Sequence, residues 1–146
     1  MRKITIKKDD VNRIIEHAKN RLPDEACGLI GGIDNEDGVR EIRKVYLLTN
    51  TDHSREHFSI DPKEQLQAVK DMRSVGIKPL GNWHSHPESP SRSSDEDIRL
   101  AVDSEASYLI LSLMDIDNPV LNSFHVENGV STREELVELD GIADRR

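Results

Sequence analysis

The chain has 146 residues, enough for one compact domain that buries about two thirds of the surface its unfolded form exposes. It carries 20 Lys and Arg against 28 Asp and Glu, and the resulting charge of -8 opposes the phosphate neutralisation that nonspecific nucleic-acid binding needs. Cys27 is the single cysteine, which excludes an internal disulfide and a thiolate zinc cluster. No apolar run approaches the roughly 20 residues needed to span a bilayer, and residues Met1 to Asp10 lack a hydrophobic signal core. A cytoplasmic protein with neither nucleic-acid nor membrane partners is expected.

Strands and helices alternate along the chain. Ile4 to Lys7 alternates apolar and polar residues, as a short strand does. Asp10 is placed to cap a helix whose apolar face carries Val11, Ile14, Ile15, Ala18 and Leu22, and which Pro23 stops. Ala26 to Ile33 is small, apolar and glycine-punctuated, consistent with a buried strand approached closely by other backbone. Val39 to Leu48 is a further strand after the turn residues 34–38. Asn50 to Glu56 is a polar loop, with His57 to Ile60 a short strand. Asp61 and Pro62 open a helix with Leu66, Val69 and Met72 as its buried stripe, and Gly76 closes it.

Pro79 to Ser85 is the next strand, ended by Pro87. A helix starting near Ser94 is expected to turn Ile98, Ala101 and Val102 inward. Tyr108 to Leu113 and Val120 to Val126 are the last clear strands, followed by the tight turn Asn128-Gly129. Ser131 and Glu134 have capping-box spacing, yet their segment could equally extend the sheet. No repeat or linker interrupts the chain, so residues 1–146 form one α/β domain.

One constellation carries chemistry. His84-Ser85-His86-Pro87 is followed by Ser94 and Asp97, bringing two imidazoles, a hydroxyl and a carboxylate into one short stretch. Imidazole nitrogen and carboxylate oxygen are the usual non-thiol ligands of zinc, and a catalytic zinc takes three protein ligands with one position open. Residues two apart on a strand share a face, roughly 6.5–7 Å apart, so His84 and His86 can converge on one ion while Ser85 points away. Asp97, in the first turn of the next helix, could turn its carboxylate back toward them. By residues alone, Ser94 and Asp97 also fit a capping pattern, the two histidines also fit a polar surface, and Glu25 is an ordinary surface acid. Capping and ligation do not exclude one another.

The block from His84 to Asp97 closely resembles the signature of the JAMM metalloproteases, the catalytically competent MPN domains. Pro23 to Gly31, with a glutamate ahead of Cys27-Gly28-Leu29, is similar to that family's other block. The resemblance implies a cytidine-deaminase-like fold: a single three-layer α/β domain with a central mixed sheet flanked by helices. It further implies that His84, His86 and Asp97 bind one Zn2+ ion, that Glu25 is the general acid/base, and that Ser94 stabilises the oxyanion. Ser93 stands where prokaryotic members often carry proline, a departure expected to loosen the loop.

The implied activity is hydrolysis of an amide or isopeptide bond after the C-terminal Gly-Gly of a ubiquitin-like or sulfur-carrier protein. Without long insertions, the chain resembles the small prokaryotic members that act on sulfur carriers. His57 to Ile60 and Pro87 to Ser93 are the expected walls of a channel for the tail, held by strand addition. A noncatalytic MPN scaffold and a metal-dependent hydrolase of a non-peptide substrate are the alternatives. A zinc deaminase would need a Cys-x-x-Cys pair that one cysteine cannot provide. Cys27 is expected to be a small buried residue, Trp83 a core residue, and His17, His53, His57 and His125 to lie outside the ligand set.

Overall fold

The computed structural model describes residues 2–140. β1 (Lys3–Lys7) runs directly into α1 (Lys8–Arg21), followed by β2 (Cys27–Asp34), β3 (Val39–Leu48), α2 (Pro62–Ser74), β4 (Lys78–His86), α3 (Asp95–Leu100), β5 (Ser107–Ser112), β6 (Val120–Glu127) and β7 (Val130–Leu139). The sheet is mixed, as expected, in the order β1-β3-β2-β4-β5-β6-β7, and it closes on itself as a barrel. The expected central mixed sheet thus forms, with its two outer strands joined to each other. Closure comes from β7, whose first half, Val130 to Glu134, pairs antiparallel with β6, while Glu135 to Leu139 pairs parallel with β1. β1 also pairs with β3, so neither outer strand keeps a fully free edge.

Pleating sends neighbouring residues to opposite faces. Ile30 and Trp83 join Ile4, Leu109, Leu111 and the α1 residues Val11, Ile14 and Ala18 in one cluster. Leu29 belongs to another with Ala68 and Met72 of α2. The two helices thus cover opposite faces of β2. Trp83 is fully buried and its Nε1 donates to the Tyr46 carbonyl oxygen at 3.0 Å.

Several local expectations change. Helix α1 starts at Lys8, without a side-chain cap, because β1 passes into it with no intervening loop; Asp10 lies inside the first turn, beside Arg13. In α2 the Asp61 carboxylate accepts from the Lys63 amide and Gly76 ends the chain reversal at φ 76°, as its position required. Leu66, however, is exposed, since the face meeting the sheet is that of Ala68 and Met72. Residues 57–60 form no strand, only an isolated bridge between Asn50 and Ile60. None of α3 is buried: the helix ends at Leu100, before Val102 could turn inward. Of the two readings left open for Ser131 and Glu134, the extended sheet is the one that forms, as both lie in β7.

At the end of β4 away from His86, Arg40 is buried and ties four segments together. It pairs with Asp34 at 2.7 Å and donates to the carbonyl oxygens of Leu80 (3.1 Å) and Glu105 (2.9 Å) and to Ser107 Oγ (3.0 Å). Such a charge is tolerated inside because each donor finds an acceptor.

Gly28 sits where β2 is squeezed between β3 and Trp83. A Cβ there would come within 1.8 Å of the Tyr46 carbonyl oxygen and 2.2 Å of Trp83 Nε1. Gly28→Ala should cost about 3 kcal/mol in urea unfolding, because backbone and a packed indole must both move; a loss below about 1 kcal/mol would contradict this packing.

Candidate metal centre

His84 and His86 close β4, both buried and on one face of the strand. Their Nε2 atoms lie 3.1 Å apart. Asp97 meets both, with Oδ1 3.3 Å from His84 Nε2 and Oδ2 3.1 Å from His86 Nε2. Among the described residues these three form a group whose donor atoms all lie within 4.8 Å of one another. Four ligands arranged tetrahedrally at ~2.0–2.1 Å would stand about 3.3 Å apart, so the spacing and the donor chemistry fit a zinc-like cation.

The carboxylate is aimed by local structure. Ser94 caps α3, its Oγ accepting from the Asp97 amide at 3.0 Å, while Asp97 Oδ2 accepts from the Ser94 amide at 2.9 Å. Capping and convergence on the histidines therefore occur together. The capping box fixes the Asp97 rotamer, and the same oxygen that serves the cap faces His86.

The loop 87–94 is not loose. Ser91 Oγ donates to the Ile110 carbonyl oxygen at 2.6 Å and Asn122 Nδ2 to that of Ser91 at 3.1 Å. Ser112 Oγ donates to the Ser89 carbonyl oxygen at 2.6 Å, and the hydroxyls of Ser93 and Ser131 are 2.7 Å apart. Ser93 thus makes a tie that proline could not. This pinning also sets the Pro90 carbonyl oxygen 2.9 Å from His86 Nδ1. A proton held there would leave the Nε2 lone pair of His86 to a bound cation.

Electrostatics follow burial and contact. Burial disfavours the charged form of His84 and lowers its pKa. Burial pulls His86 the same way, but the Asp97 carboxylate and the Pro90 carbonyl outweigh it and the pKa is raised. Burial would raise Asp97, yet hydrogen bonds from His84, His86 and the Ser94 amide hold it well below the usual carboxylate range.

Glu25 lies just before β2, 5% exposed, and lines a polar cleft of about 470 Å³ together with His86 and Ser94. Its amide donates to the Ser54 carbonyl oxygen at 2.7 Å, and its own carbonyl oxygen accepts from Asn50 Nδ2 at 3.0 Å. The next residue locks to the ligand strand: the Ala26 amide donates to Ser85 Oγ at 2.8 Å, and the Ser85 amide to the Ala26 carbonyl oxygen at 3.0 Å. Burial pushes the Glu25 carboxyl up to about 8, against the opposing pull of His86 and with help from the Asp97, Glu96 and Glu56 charges. Glu25 is thus no surface acid.

Sequence reasoning missed Asn50 and Ser85 as parts of this site, and held Phe58 only as part of the expected channel wall 57–60. Phe58 stacks on the His84 ring, centroids 4.7 Å apart and planes 20° from parallel. Only the pleat of β4, which turns Ser85 away from the histidines, could have pointed to one of them. Of the expected channel walls, His57, Glu88 and Ser89 do line the cleft, where His57 pairs with Glu96 at 2.6 Å and Arg55 with Glu88 at 3.3 Å. Cys27 is buried, and burial pushes its thiol up to about 12, leaving little thiolate at neutral pH. His17, whose Nε2 is 3.4 Å from the Leu48 carbonyl oxygen, and His125, 2.8 Å from that of Ser104, stand outside the ligand cluster. His53 lies beside Asp24, also outside that cluster. No helix among the described residues is long and apolar enough to cross a membrane.

Residues 7–127 match the family model of prokaryotic homologues of the JAB domain. The CysO-cysteine peptidase of Mycobacterium tuberculosis is 31% identical over 131 residues, covering 90% of this chain and 88% of that protein. The desampylase of Haloferax volcanii is 27% identical over 115 residues, 75% of this chain and 81% of that one. The solution structure of a Desulfitobacterium hafniense protein superposes with a TM-score of 0.86 at 48% identity, covering 94% of this chain and 93% of the other.

Because Glu25 binds its proton more tightly folded than unfolded, metal-free protein should lose stability as pH rises from about 4.5 to about 8. Glu25→Gln removes that dependence. Urea unfolding at pH 5 and pH 8.5 should find the variant gaining on the wild type by on the order of 4 kcal/mol across this window; parallel curves would refute the buried, protonated carboxyl.

Proposed function

The chain belongs to the family of prokaryotic JAB-domain homologues, and from that premise we propose that this JAMM-type hydrolase is a zinc metallopeptidase. Its substrate, on this reading, is an amide or isopeptide bond after the C-terminal Gly-Gly of a ubiquitin-like or sulfur-carrier protein. The observation that carries the proposal is the convergence of His84 Nε2, His86 Nε2 and the Asp97 carboxylate at 3.1 to 3.3 Å beside a buried glutamate. His84, His86 and Asp97 would hold the metal. When bound, zinc supplies a Lewis acid and lowers the pKa of water toward about 7.

The chain's own residues then divide the work. Glu25 takes the proton of the attacking water and returns it to the leaving amine. Its raised pKa suits both halves, since a carboxyl poised near neutrality can hold or release a proton at working pH. Ser94 Oγ accepts from the Asp97 amide, so its own O–H remains free to donate to charge developing on the carbonyl oxygen. Both residues line the cleft of about 470 Å³, which suits an extended tail without bulky side chains. The names of the mycobacterial and haloarchaeal relatives support a peptidase of protein conjugates.

Purified protein mixed with candidate carriers should remove whatever follows the diglycine, as read by intact mass. Glu25→Gln should keep one zinc per chain and abolish this turnover, whereas His84→Ala or Asp97→Ala should lose zinc. Ser94→Ala should slow turnover by about 10²–10³ with metal retained. Full activity of Glu25→Gln, or hydrolysis of small esters but never of diglycine fusions, would overturn the proposal.

A further inference from the structure

His84 has two ring nitrogens, and the cluster accounts for one. Nε2 faces His86 and Asp97; Nδ1 is buried and meets no hydrogen-bond partner. Two residues upstream on the same face of β4, Asn82 Oδ1 is buried and likewise without a partner. Both residues line one cavity of about 60 Å³, whose other walls include Phe58, Tyr108, Ile110 and Val126. The remaining polar side chains on that wall are engaged elsewhere: Ser93 with Ser131, Tyr108 with Asp103, and Asp97 with the histidines and Ser94.

A cavity walled by rings and aliphatic chains ordinarily stays dry. Here two of the lining residues, Asn82 and His84, each carry a buried polar atom without a partner, and the volume exceeds the roughly 10–15 Å³ that one water needs. An imidazole that ligates a metal through one nitrogen keeps its proton on the other and donates it, which fixes the tautomer and the ring orientation. His86 achieves this directly on the Pro90 carbonyl. We infer that Asn82 does it for His84 through one water-sized guest, which accepts from Nδ1–H and donates to Asn82 Oδ1. Asn82 is then a positioning residue, acting on the metal through His84 from outside the cleft that holds Glu25. Its place is fixed by the sheet, where it is paired with Leu29 of β2 and Tyr108 of β5.

This inference rests on the reading of His84 as a metal ligand, and the test separates the two. Long-range 1H–15N spectra of zinc-loaded, 15N-labelled protein report the His84 tautomer, and competition with a chromophoric chelator reports zinc affinity. The wild type should carry the His84 proton on Nδ1 and bind one zinc. Asn82→Leu should weaken zinc binding about 10–100-fold, while Asn82→Asp, which keeps an acceptor, should hold wild-type affinity or exceed it. An Asn82→Leu protein with unchanged affinity overturns the role of Asn82 alone, whereas a proton on Nε2 of the zinc-loaded wild type overturns it together with Nε2 as the ligating atom. A wild type that takes up no stoichiometric zinc overturns the metal centre with it. If Asn82→Leu does not fold, Asn82→Asp carries the test, and a loss of zinc affinity of about 10–100-fold in that acceptor-retaining variant overturns the role of Asn82.

Discussion

Two imidazole nitrogens and one carboxylate stand within 3.1 to 3.3 Å of each other, and the surrounding structure is organised to keep them there. Left to themselves, two buried imidazoles and a half-buried carboxylate would each seek water or a separate partner. Three constraints prevent it. The pleat of β4 sends both histidines to one face, the capping box of α3 fixes the Asp97 rotamer, and the pinned loop between them sets the distance. β4 lies in the middle of the sheet with a hydrogen-bonded neighbour on each side, β2 and β5, so the strand bearing the histidines cannot fray.

Glu25 depends on the same frame from the opposite direction. Ser85, the residue between the two histidines, uses its hydroxyl and its amide to hold Ala26, so the acid and the ligands share one rigid junction. Asn50 and Ser54 clamp the Glu25 backbone from the other side. Burial there favours the neutral carboxyl, and nearby acidic charges add to the effect. On the proposed function, that environment is what turns an ordinary glutamate into a proton carrier near neutral pH.

How legible each part was follows from how local its cause is. Strand β3 runs from Val39 to Leu48 as its alternation implies, and Pro62 and Gly76 bound α2 as their backbone preferences dictate. Barrel closure had no local sign, because the two halves of β7 change partners through contacts with segments far away in sequence. The apolar residues Leu66 and Val102 misled for a related reason: periodicity says which residues share a face but not which face meets the core. At the site, His84, His86 and Asp97 could be brought together on paper, since strand alternation and a capping box are short-range rules. The burial of Glu25, the stacking of Phe58 and the hold of Asn50 arise only when distant segments meet.

The central claim is a coordination sphere of two imidazoles and one carboxylate, and X-ray absorption at the zinc edge of stoichiometrically loaded protein addresses it most directly. The account predicts nitrogen and oxygen neighbours at ~2.0–2.1 Å, the multiple scattering of two imidazole rings, and no sulfur. A sulfur neighbour at ~2.3 Å, or a shell without imidazole scattering, would contradict it.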